Sequence, residues 1–153
     1  MKLLVVGDLH GNKPKIHFKD FDAIIAPGDF CSDESRKYIF KNLIKQRDNL
    51  DYKLEWWDEI GIKKAKQMLD KSLKDGRKIL EFLNSFGKPV YLVPGNWDQT
   101  GMKEYKWRRV KQNNWSRLIS GLENLRDVHF MKKTFGNIDF IGYGVVSGPE
   151  IPK

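Results

Sequence analysis

The sequence predicts an α/β fold with a parallel sheet at its centre, on three observations. Apolar runs occupy residues 2–6, 22–27 and 89–94, short and nearly continuous, as strands covered on both faces are. Each run closes on a glycine followed at once by a residue able to ligate a metal: Gly7-Asp8, Gly28-Asp29 and Gly95-Asn96. Between the second and third runs, apolar residues recur at three- and four-residue spacing, the pattern of helices that cover a sheet. Open α/β sheets bind ligands beyond the carboxyl ends of their strands. Asp8, His10, Asp29 and Asn96 are therefore expected together at one edge.

In chain order, the first strand delivers Gly7-Asp8-Leu9-His10-Gly11. Asp8 offers a hard anionic oxygen and His10 a neutral nitrogen, a pair suited to Mn, Fe, Co or Zn. The link from Gly11 to Asp22 is short for a crossover between parallel strands, which usually takes a dozen residues or more. Asn12-Lys13-Pro14 opens at most a turn or two of helix there. His17, in this link, is compatible with a site-facing residue and with a surface or packing histidine. After Asp29, Ser32 is a candidate N-cap followed by acidic residues. The helix it opens carries Ile39, Phe40, Leu43 and Ile44 on one apolar face. Cys31 is either a soft metal ligand or a small buried loop residue, and the hardness of the other ligands favours the second.

A long helix is expected from Leu54 to about Ser85, with Trp57, Ile60, Ala65, Met68, Leu69, Leu73, Leu80 and Leu83 inward. Trp56-Trp57 serves as a lid or as a packed helix start, and Gly76 either weakens the helix or permits a close crossing. Gly87 and Pro89 stop it. Beyond Asn96, Asp98 can order the loop from behind the ligands. The stretch Tyr105-Lys106-Trp107-Arg108-Arg109-Val110-Lys111, with Trp115 and Arg117, has two readings. It can stack nucleobases and hold phosphates, or form an amphipathic helix with Trp107, Val110, Leu118 and Ile119 inward. Residues 128–131 and 138–141 read as strands joined through Phe135-Gly136-Asn137. His129 is expected on a sheet face.

With 153 residues the chain is expected to be one domain, a size that buries ~70% of the unfolded surface. No stretch approaches the ~18 apolar residues of a membrane span, and no secretory leader is recognisable. A single cysteine, Cys31, excludes an internal disulfide and suits a reducing compartment, so a cytoplasmic location is expected. The net charge of +8 and pI near 9.5 suit a nucleic-acid partner. Lysines spread over solvated helix faces would give the same totals.

The series GDLHG, PGD and PGNWD resembles the motifs of the calcineurin-like metallophosphoesterases. The resemblance implies a sandwich of β-sheets flanked by helices, represented here by the first half of the usual domain and incomplete at its C-terminus. It also implies two divalent cations: Asp8 and His10 on one, Asp29 bridging, and Asn96 on the other while facing the phosphate. Two departures stand out. Trp97 occupies the place of a histidine that serves the transition state or leaving group, and the late histidine motifs are absent, since only His10, His17 and His129 occur. Four ligands are few for two cations of four to six positions each. The expectation is therefore metal-dependent hydrolysis of phosphate esters, of phosphodiesterase or nucleotidase type, if the chain is completed, for instance by a second copy completing the sheet. The competing expectation is a non-catalytic basic module that binds nucleic acid or a partner through a degenerate site.

Overall fold

A computed structural model describes residues 1–101 and 107–144. Its core is a four-stranded parallel sheet, β1 (Leu3–Val5), β2 (Ala23–Ala26), β3 (Val90–Leu92) and β4 (Leu125–Asp127), in the order β1-β2-β3-β4. The helices between β2 and β3 are α1 (Arg36–Asp48), α2 (Trp56–Ile60) and α3 (Ile62–Asn84). Two short helices, α4 (Arg108–Lys111) and α5 (Trp115–Ile119), lead to β4, and an antiparallel hairpin of β5 (Lys132–Phe135) and β6 (Ile138–Ile141) follows.

Both faces of the sheet are used, which is why the strand runs are apolar throughout. On one face Leu4, Ile24, Ala26, Val90 and Leu92 meet Ile79, Leu80 and Leu83 of α3, with Trp115 and Leu118 of α5. On the other, Ala23, Tyr91 and Val128 meet Phe135 and Phe140 of the hairpin, and the Tyr91 and Phe140 rings stack 4.1 Å apart. The hairpin thus forms a second small sheet against the first. It leaves part of β1 bare: Leu3 and Val5, which alternate with the buried Leu4, are exposed.

Four expectations are corrected. The helix after Asp29 starts beyond Ser35, not Ser32, with no side-chain hydrogen bond capping it, and of the apolar face only part is covered: the buried residue of α1 is Asn42, whereas Ile44 is exposed. The helix expected over 54–85 breaks at Gly61, whose φ of 85° ends α2 before α3 starts. Residues 11–22 contain no helix. The strand expected at 128–131 is instead β4, three residues earlier, followed by a single bridge from His129 to Gly142, and β6 pairs with 132–135. The close crossing at Gly76 is real: a Cβ there would lie 2.5 Å from Cys31 Sγ and 3.1 Å from its backbone. Cys31 is accordingly a small buried loop residue, and burial pushes its thiol pKa far up.

Candidate metal centre

Past their last paired residues, the exits of β1 and β2 stay joined through the backbone. Asp8 N–H donates to Gly28 O (3.1 Å), Leu9 and His10 N–H to Asp29 O (2.9 and 2.8 Å), and Gly11 N–H to Phe30 O (2.9 Å). The β3 exit is tied in by one fully buried side chain, Asp98. Its Oδ2 accepts from the N–H of Asp29 (2.9 Å) and Gly95 (2.8 Å), and its Oδ1 from Phe30 (2.8 Å) and Cys31 (2.9 Å). Burial pushes the Asp98 carboxyl up to about 6, against the pull of these N–H groups. Gly28 and Gly95 are required by the contact itself, since a Cβ on Gly28 would overlap the Gly95 backbone and one on Gly95 the Asp29 side chain.

This frame brings ligand atoms of Asp8, His10 and Asp29 within 4.8 Å of one another. All three residues adopt the left-handed backbone region, with φ of 57°, 45° and 56°. That conformation costs a non-glycine residue ~1–2 kcal/mol and is tolerated where the surroundings force it. His10 Nε2 lies 2.8 Å from Asp8 Oδ1. Neighbouring ligands on a cation with bonds of ~2.1 Å stand about 3 Å apart, so the spacing fits two adjacent coordination positions. His10 Nδ1 is buried without a hydrogen bond, its nearest carboxylate being Asp33 Oδ2 at 4.0 Å. A ligating imidazole typically turns its second nitrogen to such a carboxylate. Burial raises the Asp29 carboxyl pKa; the Trp97 N–H and His10 oppose the rise, and Asp8 and Asp33 add to it. Three carboxylates around one imidazole make a local excess of negative charge in a basic chain, and a divalent cation would relieve it. The donor set fits such an ion.

Asn96 lies in the loop that wraps Asp29, between Gly95, packed on the Asp29 carboxylate, and Trp97, whose N–H donates to Asp29 Oδ1 at 2.8 Å. The Trp97 ring meets His10 edge-on, centroids 6.2 Å apart. Asp33 is the site neighbour that the sequence reading missed. As one of the acidic residues after the candidate cap Ser32 it is expected in a first helical turn, and no spacing in the sequence marks it as facing His10. His17 is exposed, and His129 is outside the cluster, with Nδ1 accepting from Gly144 N–H at 3.0 Å.

In the described part of the aromatic and basic stretch, Trp107, Trp115 and Arg109 are used for packing. Tyr105 and Lys106 lie outside the described residues. Trp107 meets Trp57 at 5.4 Å, Trp115 stacks on Phe30 and donates to Asp127 Oδ2, and Arg109 pairs with Asp70. These rings are not free platforms for bases.

Taken together, a parallel sheet whose strand ends gather two carboxylates and an imidazole defines an α/β protein with a candidate metal site at its strand tips. The calcineurin-like phosphoesterase family model matches residues 1–150, and the chain belongs to that family of metal-dependent phosphoesterases. No curated protein and no solved structure matches significantly. Among the described residues no helix is long and apolar enough to cross a membrane.

Proposed function

We propose that the chain hydrolyses phosphate esters, as a phosphodiesterase or nucleotidase, at a pair of divalent cations, with manganese the first to test. The observation that carries this reading is the meeting of Asp8, His10 and Asp29 within 4.8 Å from two different strand exits. Asp8 and His10 would hold one cation, Asp29 would stand between the two, and the Asn96 amide oxygen would reach the second, leaving its NH2 for the phosphate. Such cations supply positive charge for the phosphoryl oxygens and make water a better nucleophile near neutral pH. These four side chains leave positions that waters, phosphate oxygens or a second copy of the chain would fill. Asp98 keeps the Asp29 and Asn96 loops in register, and Trp97 shields one side of the imidazole. Because Trp97 carries no titratable proton, leaving groups that depart as stable anions are favoured. The buried free thiol of Cys31 supports a cytoplasmic setting.

The test is Mn2+-dependent hydrolysis of bis(p-nitrophenyl) phosphate. Asp29→Asn is expected to lower kcat/KM by at least ~100-fold, a loss of about 2.7 kcal/mol of transition-state stabilisation. Equal rates for the two proteins would overturn the reading.

A further inference from the structure

A shallow groove of about 720 Å³ runs along α1, lined by Asp33, Arg36, Lys37, Tyr38, Lys64 and Met68 among others. Its volume lies within the ~300–1,000 Å³ typical of small-molecule sites. Asp33 belongs both to this groove and to the surroundings of His10. The groove therefore opens directly beside the metal centre.

Its charges are unequally satisfied. Asp33 is paired with Arg36 at 3.5 Å, and Glu34, on the same wall, with Lys71. Lys37 and Lys64 have no carboxylate partner among the described residues; both stand over the Tyr38 ring, at 5.0 and 5.3 Å from its centre. The nearby ammonium groups, Lys64 above all and then Lys37, lower the Tyr38 phenol pKa. Two ammonium groups and a hydroxyl gathered in one groove, whose two carboxylates, Asp33 and Glu34, are already paired with Arg36 and Lys71, are complementary to a phosphate. Lys37 lies in the first turn of α1, which starts at Arg36, just after the loop that carries Asp33. Because Asp33 lines the groove and stands 4.0 Å from His10 Nδ1, an extended substrate with a second phosphate would span both.

We infer that this groove is an anion subsite that holds a second phosphate of the substrate, gripped by Lys37 and Lys64 around the Tyr38 hydroxyl. The chain thereby selects phosphoesters carrying more than one phosphate. The inference rests on the phosphoesterase reading for which phosphate reacts, but the subsite itself can be measured without turnover.

The test compares the wild type with Lys37→Gln/Lys64→Gln in Mn2+, using the thymidine dinucleotide TpT, its 5′-phosphorylated form pTpT and the tetranucleotide TpTpTpT. Equilibrium binding of fluorescein-labelled pTpT to the Asp29→Asn background is the readout independent of hydrolysis. The double substitution is expected to weaken that binding roughly tenfold and to lower the slope of log affinity on log salt by about 0.7, the value for one neutralised phosphate. In the active chain, the preference for pTpT or TpTpTpT over TpT should fall by a similar factor with TpT hydrolysis unchanged. Inorganic tripolyphosphate competing as well as pTpT assigns the subsite to phosphate alone, whereas competition by pTpT only assigns it to nucleotides. Unchanged binding and unchanged preference in the double variant overturn the inference while leaving the phosphoesterase reading intact. Lysine-dependent binding without any hydrolysis by the wild type sinks that reading and keeps the subsite.

Discussion

At the strand tips the buried polar group is a carboxylate, Asp98, ringed by four backbone N–H groups. In the α1–α2 flank it is an amide, Asn42, which donates to Leu54 O and to Glu59 Oε1, both at 2.9 Å. Glu59 in turn takes bonds from Lys45 and Tyr52. The first arrangement uses a charge to fix main chain, so its donors have nowhere else to turn once it is gone. The second joins one main-chain carbonyl to side chains, of which Lys45 and Glu59 have water within reach. A frame that must hold ligand atoms to fractions of an ångström is built from the former kind of contact, and a flank that only covers the core is built from the latter.

The sharpest way to break this contrast is Asp98→Ala. It orphans several buried N–H groups at once and is expected to lower unfolding free energy by about 3–5 kcal/mol in urea titration. A loss below ~1 kcal/mol would show that the tips do not depend on it. Gly76→Ala acts on the same loop from the far side, because its methyl overlaps Cys31, whose N–H bonds Asp98. Its expected loss is about 2 kcal/mol, with weaker Mn2+ binding as the added readout. Asn42→Ala, in the flank, is expected to take away only about 1 kcal/mol and to leave Mn2+ affinity unchanged.

The smallest effect concerns Glu59. Hydrogen bonds from Lys45, then Tyr52 and Asn42, hold its carboxyl down at about 2 against an ordinary 4.5. A depressed acid stabilises the fold above its unfolded pKa, and that contribution fades as pH falls from about 4.5 through about 2. The stability gap between wild type and Glu59→Gln should close over that interval in acid unfolding followed by circular dichroism.

The strand tips were legible in the sequence because burial on two faces leaves an uninterrupted apolar run, and the abrupt glycine after it marks where backbone must pass close to backbone. Gly28 and Gly95 meet that description literally. Elsewhere the signal weakens for identifiable reasons. β4 is an edge strand of three residues, Leu-Arg-Asp, paired on one side only, so no alternation or apolar run announces it. Gly61 lies inside a helical periodicity that continues on both sides, which hides the break. In α1 an internal hydrogen-bond network, not an apolar stripe, decides which face is inward, and Asn42 is therefore buried where Ile44 is not. Asp33 reaches the site by the path of the loop after Asp29, which residue spacing does not encode.

The left-handed backbone shared by Asp8, His10 and Asp29 sets durability against chemistry. Glycine would sit more comfortably at each of these three places, so a descendant that discarded its acids and imidazole could become sturdier in the same act. Nothing in the architecture guards those side chains. Only a continuing need for what they do would keep them there.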